Sequence, residues 1–319
     1  MKMYFVGCDD AERAHKLHVP DDITQGAMIS ANWLKGRKGR INIKDCPWIM
    51  DSGAFSQVTS PKNMGDFEMT PKQYVELAKR FEDNGNLLCI VSQDYMCEPS
   101  VIELLKEMGF RKPGINWVRK HQQMTVERYI EVRDEAIKQG LKAPVMPVLQ
   151  GWEVEDYVDH YLLYRRMLSE VSAERTSYGR TGIPRNNMWH HPFHHPSALG
   201  TPLLPEGQWV GIGSTCKRNT NPEVVAQILD ALEEQTRSRW TRQPRGIVTT
   251  MKVHLFGFKT TGLKQSNIKD RIYSADSFAY DFADRYGGAP RDRVSRAASA
   301  VRYGQKIIHN NVQMDINLN

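Results

Sequence analysis

Pro47-Trp48-Ile49-Met50 is a short apolar run, and the small and polar residues Asp51-Ser52-Gly53-Ala54-Phe55-Ser56 follow it directly. The same design returns near the other end of the chain, where Ser274-Ala275-Asp276-Ser277 follows Ile272-Tyr273. Three more turns of this kind lie between them: Val91-Ser92-Gln93-Asp94, Val148-Leu149-Gln150-Gly151 and Trp209-Val210-Gly211-Ile212-Gly213. Polar groups placed repeatedly at strand ends predict a barrel whose active site lies at the carboxyl ends of its strands.

The regular elements follow from the apolar pattern. Eight short apolar runs predict strands over residues 3–7, 27–30, 48–51, 88–93, 144–149, 209–212, 252–256 and 272–276. Helical patterns lie between several of them, beginning at the capping box Thr70-Pro71-Lys72-Gln73, at Thr125 and at Asn221-Pro222. This alternation predicts one α/β domain over residues 1–319, a (β/α)8 TIM barrel. An alternative places the first run in a hairpin outside the barrel.

The composition is that of a globular domain. Of 319 residues, 40% are hydrophobic and 25% are charged, which argues against wholesale disorder. The 43 Lys and Arg against 37 Asp and Glu give a net charge of +6, which mildly favours a polyanionic partner. Five dispersed cysteines argue against a disulfide framework, and the N-terminal apolar run is too short for a signal peptide. We therefore expect a cytoplasmic protein with no membrane span.

One segment departs from the barrel pattern. Residues 174–208 are rich in Pro, Asn and His and predict a long insertion before the sixth strand. This insertion contains four closely spaced histidines: His190, His191, His194 and His195. Because imidazole is a zinc ligand, a metal site is an alternative here to a polar loop, although the prolines break any helical presentation of the histidines.

The strand-end residues together resemble a known enzyme family. Asp-Ser-Gly-Ala-Phe at 51–55, Val-Gly-Ile-Gly at 210–213, His-Leu-Phe-Gly at 254–257 and Ala-Asp-Ser at 275–277 are similar to the barrel of the tRNA-guanine transglycosylases. The chain most resembles their DNA-acting relatives, the 7-deazaguanine transglycosylases of the DpdA family. The motifs of this likeness are Gln93-Asp94-Tyr95-Met96-Cys97-Glu98-Pro99, His121-Gln122, Gln150-Gly151-Trp152, Gly211-Ile212-Gly213-Ser214-Thr215-Cys216-Lys217-Arg218 and Ser274-Ala275-Asp276-Ser277. They follow the family's order between about residues 32 and 285.

The resemblance implies a base exchange in DNA, in which guanine is replaced by a 7-deazaguanine such as 7-cyano-7-deazaguanine. Asp276 is then the nucleophile that forms a covalent deoxyribosyl-aspartate intermediate, and Asp51 is the general acid and base. As bare sequence, Asp51 could instead cap the turn before Gly53, and Asp276 could cap the helix after its strand. His121 is assigned no chemical step and is expected to be structural.

The resemblance also implies a pocket for the base. Asp94 accepts the N1–H and the exocyclic amine of a guanine-like base, and O6 receives donors from Gln150 and from the backbone of Gly211, Ile212 and Gly213. The remaining assignments are by position: Phe55 and Phe256 stack on the base, and Asn32 and Ser52 contact the sugar.

Two basic segments are expected to contact nucleic acid. Lys217 and Arg218 end one of the shared motifs. Trp240 lies between Arg239 and Arg242, where an exposed aromatic ring suits base stacking or phosphate contact. The basic run at residues 35–40 is interpreted as a solvated face.

The chain departs from the tRNA enzymes after Asp276. The 43 residues that follow contain no cysteine, so we expect no zinc-binding subdomain and no cofactor, apart from the zinc that the histidine cluster could bind. The expected partners are DNA and a 7-deazaguanine base, and a homodimer or accessory proteins are left open. The alternative functions are a zinc-free tRNA-guanine transglycosylase, a metal-dependent barrel hydrolase and a non-enzymatic DNA-binding protein on a decayed barrel.

Overall fold

A parallel sheet forms the centre of the protein. The computed structural model describes residues 1–7, 24–41, 43, 46–164, 204, 207–235, 247–259, 262–264 and 266–277. The strands are β1 Met3–Gly7, β2 Thr24–Ser30, β3 Pro47–Asp51, β4 Asn86–Val91, β5 Val145–Met146, β6 Val148–Leu149, β7 Trp209–Ile212, β8 Lys252–Leu255 and β9 Ser274–Ser277. The helices are α1 Ala31–Lys35, α2 Ala54–Val58, α3 Pro71–Phe81, α4 Pro99–Glu107, α5 Trp117–Lys138, α6 Pro222–Gln235, α7 Ile247–Thr250 and α8 Ser266–Lys269, and residues 154–164 are also helical.

The sheet closes almost completely into a barrel. Its strand order is β5-β4-β3-β2-β1-β9-β8-β7-β6, so the two edge segments are neighbours in the chain, separated by Pro147 alone. Proline has no N–H to donate, and it interrupts one strand whose first half pairs with β4 and whose second half pairs with β7. The predicted TIM-like barrel is confirmed. The first run belongs to it rather than to a hairpin, since β1 pairs with both β2 and β9.

Capping residues explain where the helices begin. The capping box predicted at Thr70 is present, with reciprocal hydrogen bonds between Thr70 and Gln73. The start predicted at Thr125 is wrong, because α5 already begins at Trp117. The Asn116 side chain caps it by accepting a backbone N–H of the first turn, a polar signal that the apolar pattern does not contain.

Two apolar layers surround the strands. One cluster fills the inside of the barrel and comprises Met3, Phe5, Met28, Ile49, Cys89, Val91, Met146, Val148 and Trp209. Strand residues of the opposite phase, such as Trp48 and Ile90, pack outward against α1 and α3. Since successive strand residues point to opposite faces, a parallel barrel filled in this way leaves its polar strand ends to form one mouth.

Two features concern the remainder of the chain. Within the described ranges, no helix is long and apolar enough to cross a membrane.

The insertion predicted at residues 174–208 lies outside the described residues, except for residues 204, 207 and 208, and stays a prediction.

A buried histidine holds the loop that carries Asp94. His121 Nδ1 lies 2.6 Å from the carbonyl oxygen of Met96, and His121 Nε2 lies 2.8 Å from Nε of Arg111. Burial lowers the pKa of His121 to about 4, so the neutral ring donates through Nδ1 and accepts from Arg111. Arg111 also donates to the carbonyl of Gly65. This network gives His121 the structural role expected for it.

Replacing His121 with Phe should destabilise the fold, because it leaves the Met96 carbonyl and the Arg111 Nε–H buried without partners. Each such group costs about 1–3 kcal/mol, so the free energy of unfolding should fall by about 2–5 kcal/mol in a denaturant titration. Gln123→Leu on the same helix is the matched control, with an expected change within about 0.5 kcal/mol. Equal stability of His121→Phe and wild type would contradict this role.

Candidate active site at the mouth of the barrel

Four of the predicted polar residues come together at one end of the barrel. Asp51 ends β3, Asp94 follows β4, Gln150 follows β6, and Asp276 lies in β9. Parallel strands have their carboxyl ends on the same side, so all four side chains reach one mouth. The negative charges of Asp276 and Asp94 both raise the pKa of Asp51, so the ionisation of the three acids is coupled.

Asp276 is held by two donors on one oxygen. It is 3% exposed, and its Oδ1 accepts the backbone N–H of Gly257 at 2.8 Å. His254 Nε2 lies 3.2 Å from the same oxygen. Hydrogen bonds to the ionised form offset part of the cost of burying a carboxylate. Asp276 is therefore a buried carboxyl group whose Oδ1 is hydrogen-bonded, and its role as a nucleophile stays a prediction.

Asp51 accepts hydrogen bonds from backbone N–H groups, whereas side-chain donors reach Asp94. The Oδ2 atom of Asp51 accepts the N–H of Gly53 at 3.1 Å, so Asp51 does cap the turn that follows β3. Burial first, and then the charges of Asp276 and Asp94, raise the pKa of Asp51 to about 7. A carboxyl with this pKa can give up and take back a proton at neutral pH.

Asp94 and Gln150 are bonded to each other. Gln150 Nε2 donates to Asp94 Oδ2, and Ser52 Oγ donates to Asp94 Oδ1 at 3.3 Å. Ser214 Oγ donates to Gln150 Oε1 at 2.8 Å. Burial raises the pKa of Asp94 to about 6, against the opposing effect of its two donors. The side chains expected to recognise a base thus form hydrogen bonds with each other and with two serine hydroxyls.

The two residues assigned to the sugar occupy different places. Ser52 is buried and its hydroxyl donates to Asp94, which corrects the expected sugar contact. Asn32 lies at the mouth, where its Nδ2 donates to Ser56 Oγ at 2.7 Å and its Oδ1 accepts from Gln57. Asn32 braces the turn after β3, and its contact with a sugar stays a prediction.

Gly211 and Gly213 shape the site rather than donate to a ligand. Their N–H groups donate at 2.8 and 2.9 Å to carbonyl groups in the segment 147–149, so the expected donation from these two residues to a base is wrong. A Cβ at position 213 would lie 2.2 Å from the Gln150 side chain, and one at position 211 would lie 2.3 Å from the ring of Phe256. Only glycine leaves room for both side chains.

The two candidate stacking rings differ in exposure. Phe55 on α2 is 62% exposed, which leaves its ring open to a ligand at the mouth. Phe256 is half-buried and packs edge-to-face on His254, with ring centroids 4.7 Å apart. Ile212 points away from the mouth into the core between strands and helices. Stacking of a base between Phe55 and Phe256 stays a prediction.

Sequence reasoning missed three polar residues of the site. His254 bonds Asp276, and Ser214 bonds Gln150 from a backbone with a φ of 58°. Glu98 is 5% exposed, burial raises its pKa, and its Oε2 has no hydrogen-bond partner within the described part of the chain. All three lie inside the motifs that carry the family resemblance, which was the only available signal.

The predicted nucleic-acid contacts are described only in part. Lys217 is exposed, whereas the guanidinium of Arg218 stacks 4.2 Å from the ring centre of Trp152 and donates to the Trp152 carbonyl. The other candidates lie outside the described residues: Arg239, Trp240, Arg242, His190, His191, His194 and His195. Elsewhere in the described chain, no cluster of three or more His, Cys, Asp or Glu could hold a metal ion.

Two solved structures show distant similarity to this chain. A mutant flavocytochrome b2 with benzoylformate is 10% identical with a TM-score of 0.39, and the alignment covers 100% of this chain and 64% of that one. The YdjI aldolase from Escherichia coli K12 is 10% identical with a TM-score of 0.33, over 98% of this chain and 90% of that one. No curated protein gives a significant match.

A family model gives a direct match. The model of DpdA, described as DeoxyPurine in DNA protein A, matches residues 24–177. This range contains Asp51, Asp94 and Gln150, three of the four polar side chains that meet at the mouth. Over residues 24–177 the chain is therefore similar to the DpdA family.

Proposed function

We propose that the protein exchanges guanine in DNA for a 7-deazaguanine base through a covalent deoxyribosyl-aspartate intermediate. The match of residues 24–177 to the DpdA family model supports a DNA-modifying, transglycosylase-like role. The observation that carries the proposal is the pairing of two unlike carboxyl groups, a proton-exchanging Asp51 and a doubly hydrogen-bonded Asp276. Substitution at a sugar with retention needs one acid that transfers protons and one carboxylate that attacks carbon.

The first half of the reaction removes guanine. An oxygen of Asp276 forms a bond to C1′ of the deoxyribose, and the bond between C1′ and N9 of guanine breaks. The electron pair of that bond goes to the base, which receives the proton of Asp51 on N7 and leaves as neutral guanine. Protonation of the leaving base and attack by a carboxylate are the two roles that retaining glycosidases divide between their acids.

The second half inserts the new base. Asp51, now ionised, takes the N9 proton of the incoming 7-deazaguanine, and N9 forms a bond to C1′. The bond between C1′ and Asp276 breaks, and its electron pair restores the carboxylate. Because a 7-deazaguanine has carbon at position 7, it offers no basic nitrogen there for Asp51 to protonate. The exchange therefore runs in one direction.

Base recognition is assigned to Asp94 and Gln150. The carboxylate accepts the N1–H and the exocyclic amine, and the amide of Gln150 donates to O6. Ser52 and Ser214 hold the two side chains in place. A nucleotide in a duplex must be flipped out to reach this mouth, at a cost of a few kcal/mol, and the exposed ring of Phe55 can replace part of the lost stacking.

Asp276→Asn tests the proposal directly. Wild-type protein incubated with DNA should form an adduct that survives denaturation, and it should incorporate a labelled 7-deazaguanine into the digested nucleosides. The variant should do neither, because it lacks the attacking carboxylate, while its circular dichroism and DNA binding remain. Asp159→Asn, at an exposed position on the outside, is the matched control and should behave as wild type. Incorporation into tRNA but not DNA, or none into either, would overturn the proposal.

Adduct formation should depend on pH with an optimum between about 6 and 7. Asp94 must be ionised to accept N1–H, so the rate rises as pH passes about 6, and Asp51 must be protonated to act as an acid, so the rate falls above about 7. In single-turnover experiments the decline above pH 7 should approach tenfold per pH unit. Asp51→Asn should lower the rate and abolish that decline, and a decline that survives in this variant would assign it to another group.

An exposed cation lies near the mouth. Lys217 comes shortly after the carboxyl end of β7 and is exposed. The basic run at residues 35–40 leads away from the mouth, because the N–H of the next residue, Ile41, donates to Asn84 Oδ1 ahead of the amino end of β4. Since DNA would present phosphates around a flipped nucleotide, we assign a phosphate contact to Lys217.

Charge reversal at Lys217 should weaken DNA binding and its dependence on salt. Each lost phosphate contact reduces the slope of log K against log salt by about 0.9, so Lys217→Glu should flatten the slope by about 1 in a fluorescence titration. Lys142→Glu, ahead of the amino end of β5 and so at the end of the barrel opposite the mouth, should leave the slope unchanged. Identical slopes for Lys217→Glu and wild type would place the DNA on another face.

A further inference from the structure

A fully buried histidine lies beside the proposed nucleophile and has no part in the proton transfers described above. His254 is 0% exposed, and both of its ring nitrogens have a partner. Nε2 lies 3.2 Å from Asp276 Oδ1, and Nδ1 lies 2.9 Å from Ser274 Oγ. Burying an imidazole and a carboxylate together is costly unless each hydrogen bond is made, so this arrangement calls for a reason.

The contact follows from the pairing of the last two strands. In the β8–β9 pair, His254 lies directly opposite Ser274. Ser274 and Asp276 are two positions apart on β9, so their side chains point to the same face. The ring of His254 is therefore held between a hydroxyl and a carboxylate of one strand, and edge-to-face contacts with Phe5 and Phe256 restrict its tilt.

We propose that His254 is a positioning residue that selects which oxygen of Asp276 attacks C1′, an inference that rests on the proposed function. His254 and the N–H of Gly257 both occupy Oδ1. Across the described residues, no group donates to Oδ2. In this proposal a lone pair of Oδ2 forms the bond to C1′, and Oδ1 becomes the carbonyl oxygen of the ester.

Asp276 and Ser274 together set the tautomer that this role needs. An ionised carboxylate can only accept, so the ring proton of His254 resides on Nε2 and points at Asp276 Oδ1, and the hydroxyl of Ser274 donates to Nδ1. The opposite tautomer would set a lone pair against the carboxylate. His254 thus transfers no proton during the exchange, and it acts by fixing an oxygen and by stabilising the negative charge that returns to Asp276 when the ester breaks.

The test combines kinetics of four variants. His254→Leu removes the donor and should lower kcat about 100-fold through misplacement of the carboxylate, while KM for the 7-deazaguanine stays within about threefold. His254→Gln, which keeps an N–H donor, should recover at least about tenfold of that loss. Ser274→Ala should lower kcat about tenfold, and Ser274→Thr, which keeps the hydroxyl, should remain near wild type.

Nitrogen NMR of ¹⁵N-histidine-labelled protein gives a readout independent of turnover. Wild type should show His254 with a protonated Nε2 and a bare Nδ1, and Ser274→Ala should lose this pattern. A kcat of His254→Leu within threefold of wild type, or no recovery in His254→Gln, would overturn the inference. The expected NMR pattern together with no base exchange by wild type would instead refute the proposed function and leave the His254 contact standing. Should His254→Leu fail to fold, the Gln and Ser274 variants decide.

Discussion

Three carboxyl groups, those of Asp51, Asp94 and Asp276, lose water at the same end of one barrel, and the charges of Asp94 and Asp276 make it harder for Asp51 to ionise. The three carboxyl groups accept hydrogen bonds from different kinds of donor. Asp276 receives an imidazole and a backbone N–H, Asp94 receives a hydroxyl and an amide, and Asp51 receives backbone donors alone. Asp51, whose donors are backbone N–H groups alone, has a pKa of about 7, and Asp94 has a pKa of about 6. Environments that separate the behaviour of neighbouring acids are how one site obtains distinct proton donors and acceptors.

Closure of the barrel brings the three carboxyl groups together, and it also brings hydrogen-bond donors to them. Parallel closure sends the strand ends to one mouth, which no open arrangement of these short strands would do as tightly. The donors arrive by the same route, because Ser274 reaches His254 through strand pairing and Ser214 reaches Gln150 from the end of β7. Gly213 admits the Gln150 side chain where any Cβ would block it. The chemistry of the mouth and the closure of the sheet thus depend on the same residues.

The sequence predicted the strands and the polar residues at their ends, but it did not predict contacts that depend on how two strands pair. All eight strand runs and the residues that end them could be found, because apolar runs followed by small polar residues are a local pattern. His254 could not be assigned, since its partner lies 22 residues further along the chain and only the β8–β9 register joins them. The donor role given to Gly211 and Gly213 failed for the same reason, as their N–H groups are used by the neighbouring strand. The start of α5 was missed because its cap, Asn116, is polar and precedes the apolar face.

In the proposed reaction, selectivity for guanine follows from the bond between Asp94 and Gln150. A base that enters must replace or share this bond, since the two side chains already satisfy each other. Guanine can do so, because its N1–H and amine face a carboxylate and its O6 faces an amide. Adenine would set its unprotonated N1 against Asp94 and its amine against the amide donor of Gln150, leaving buried polar groups unpaired at about 1–3 kcal/mol each. Discrimination of this kind comes from the penalty on the wrong base more than from attraction to the right one. It requires that the reading pair be rigid, which is the physical reason for Ser52 and Ser214 to be buried on either side of it.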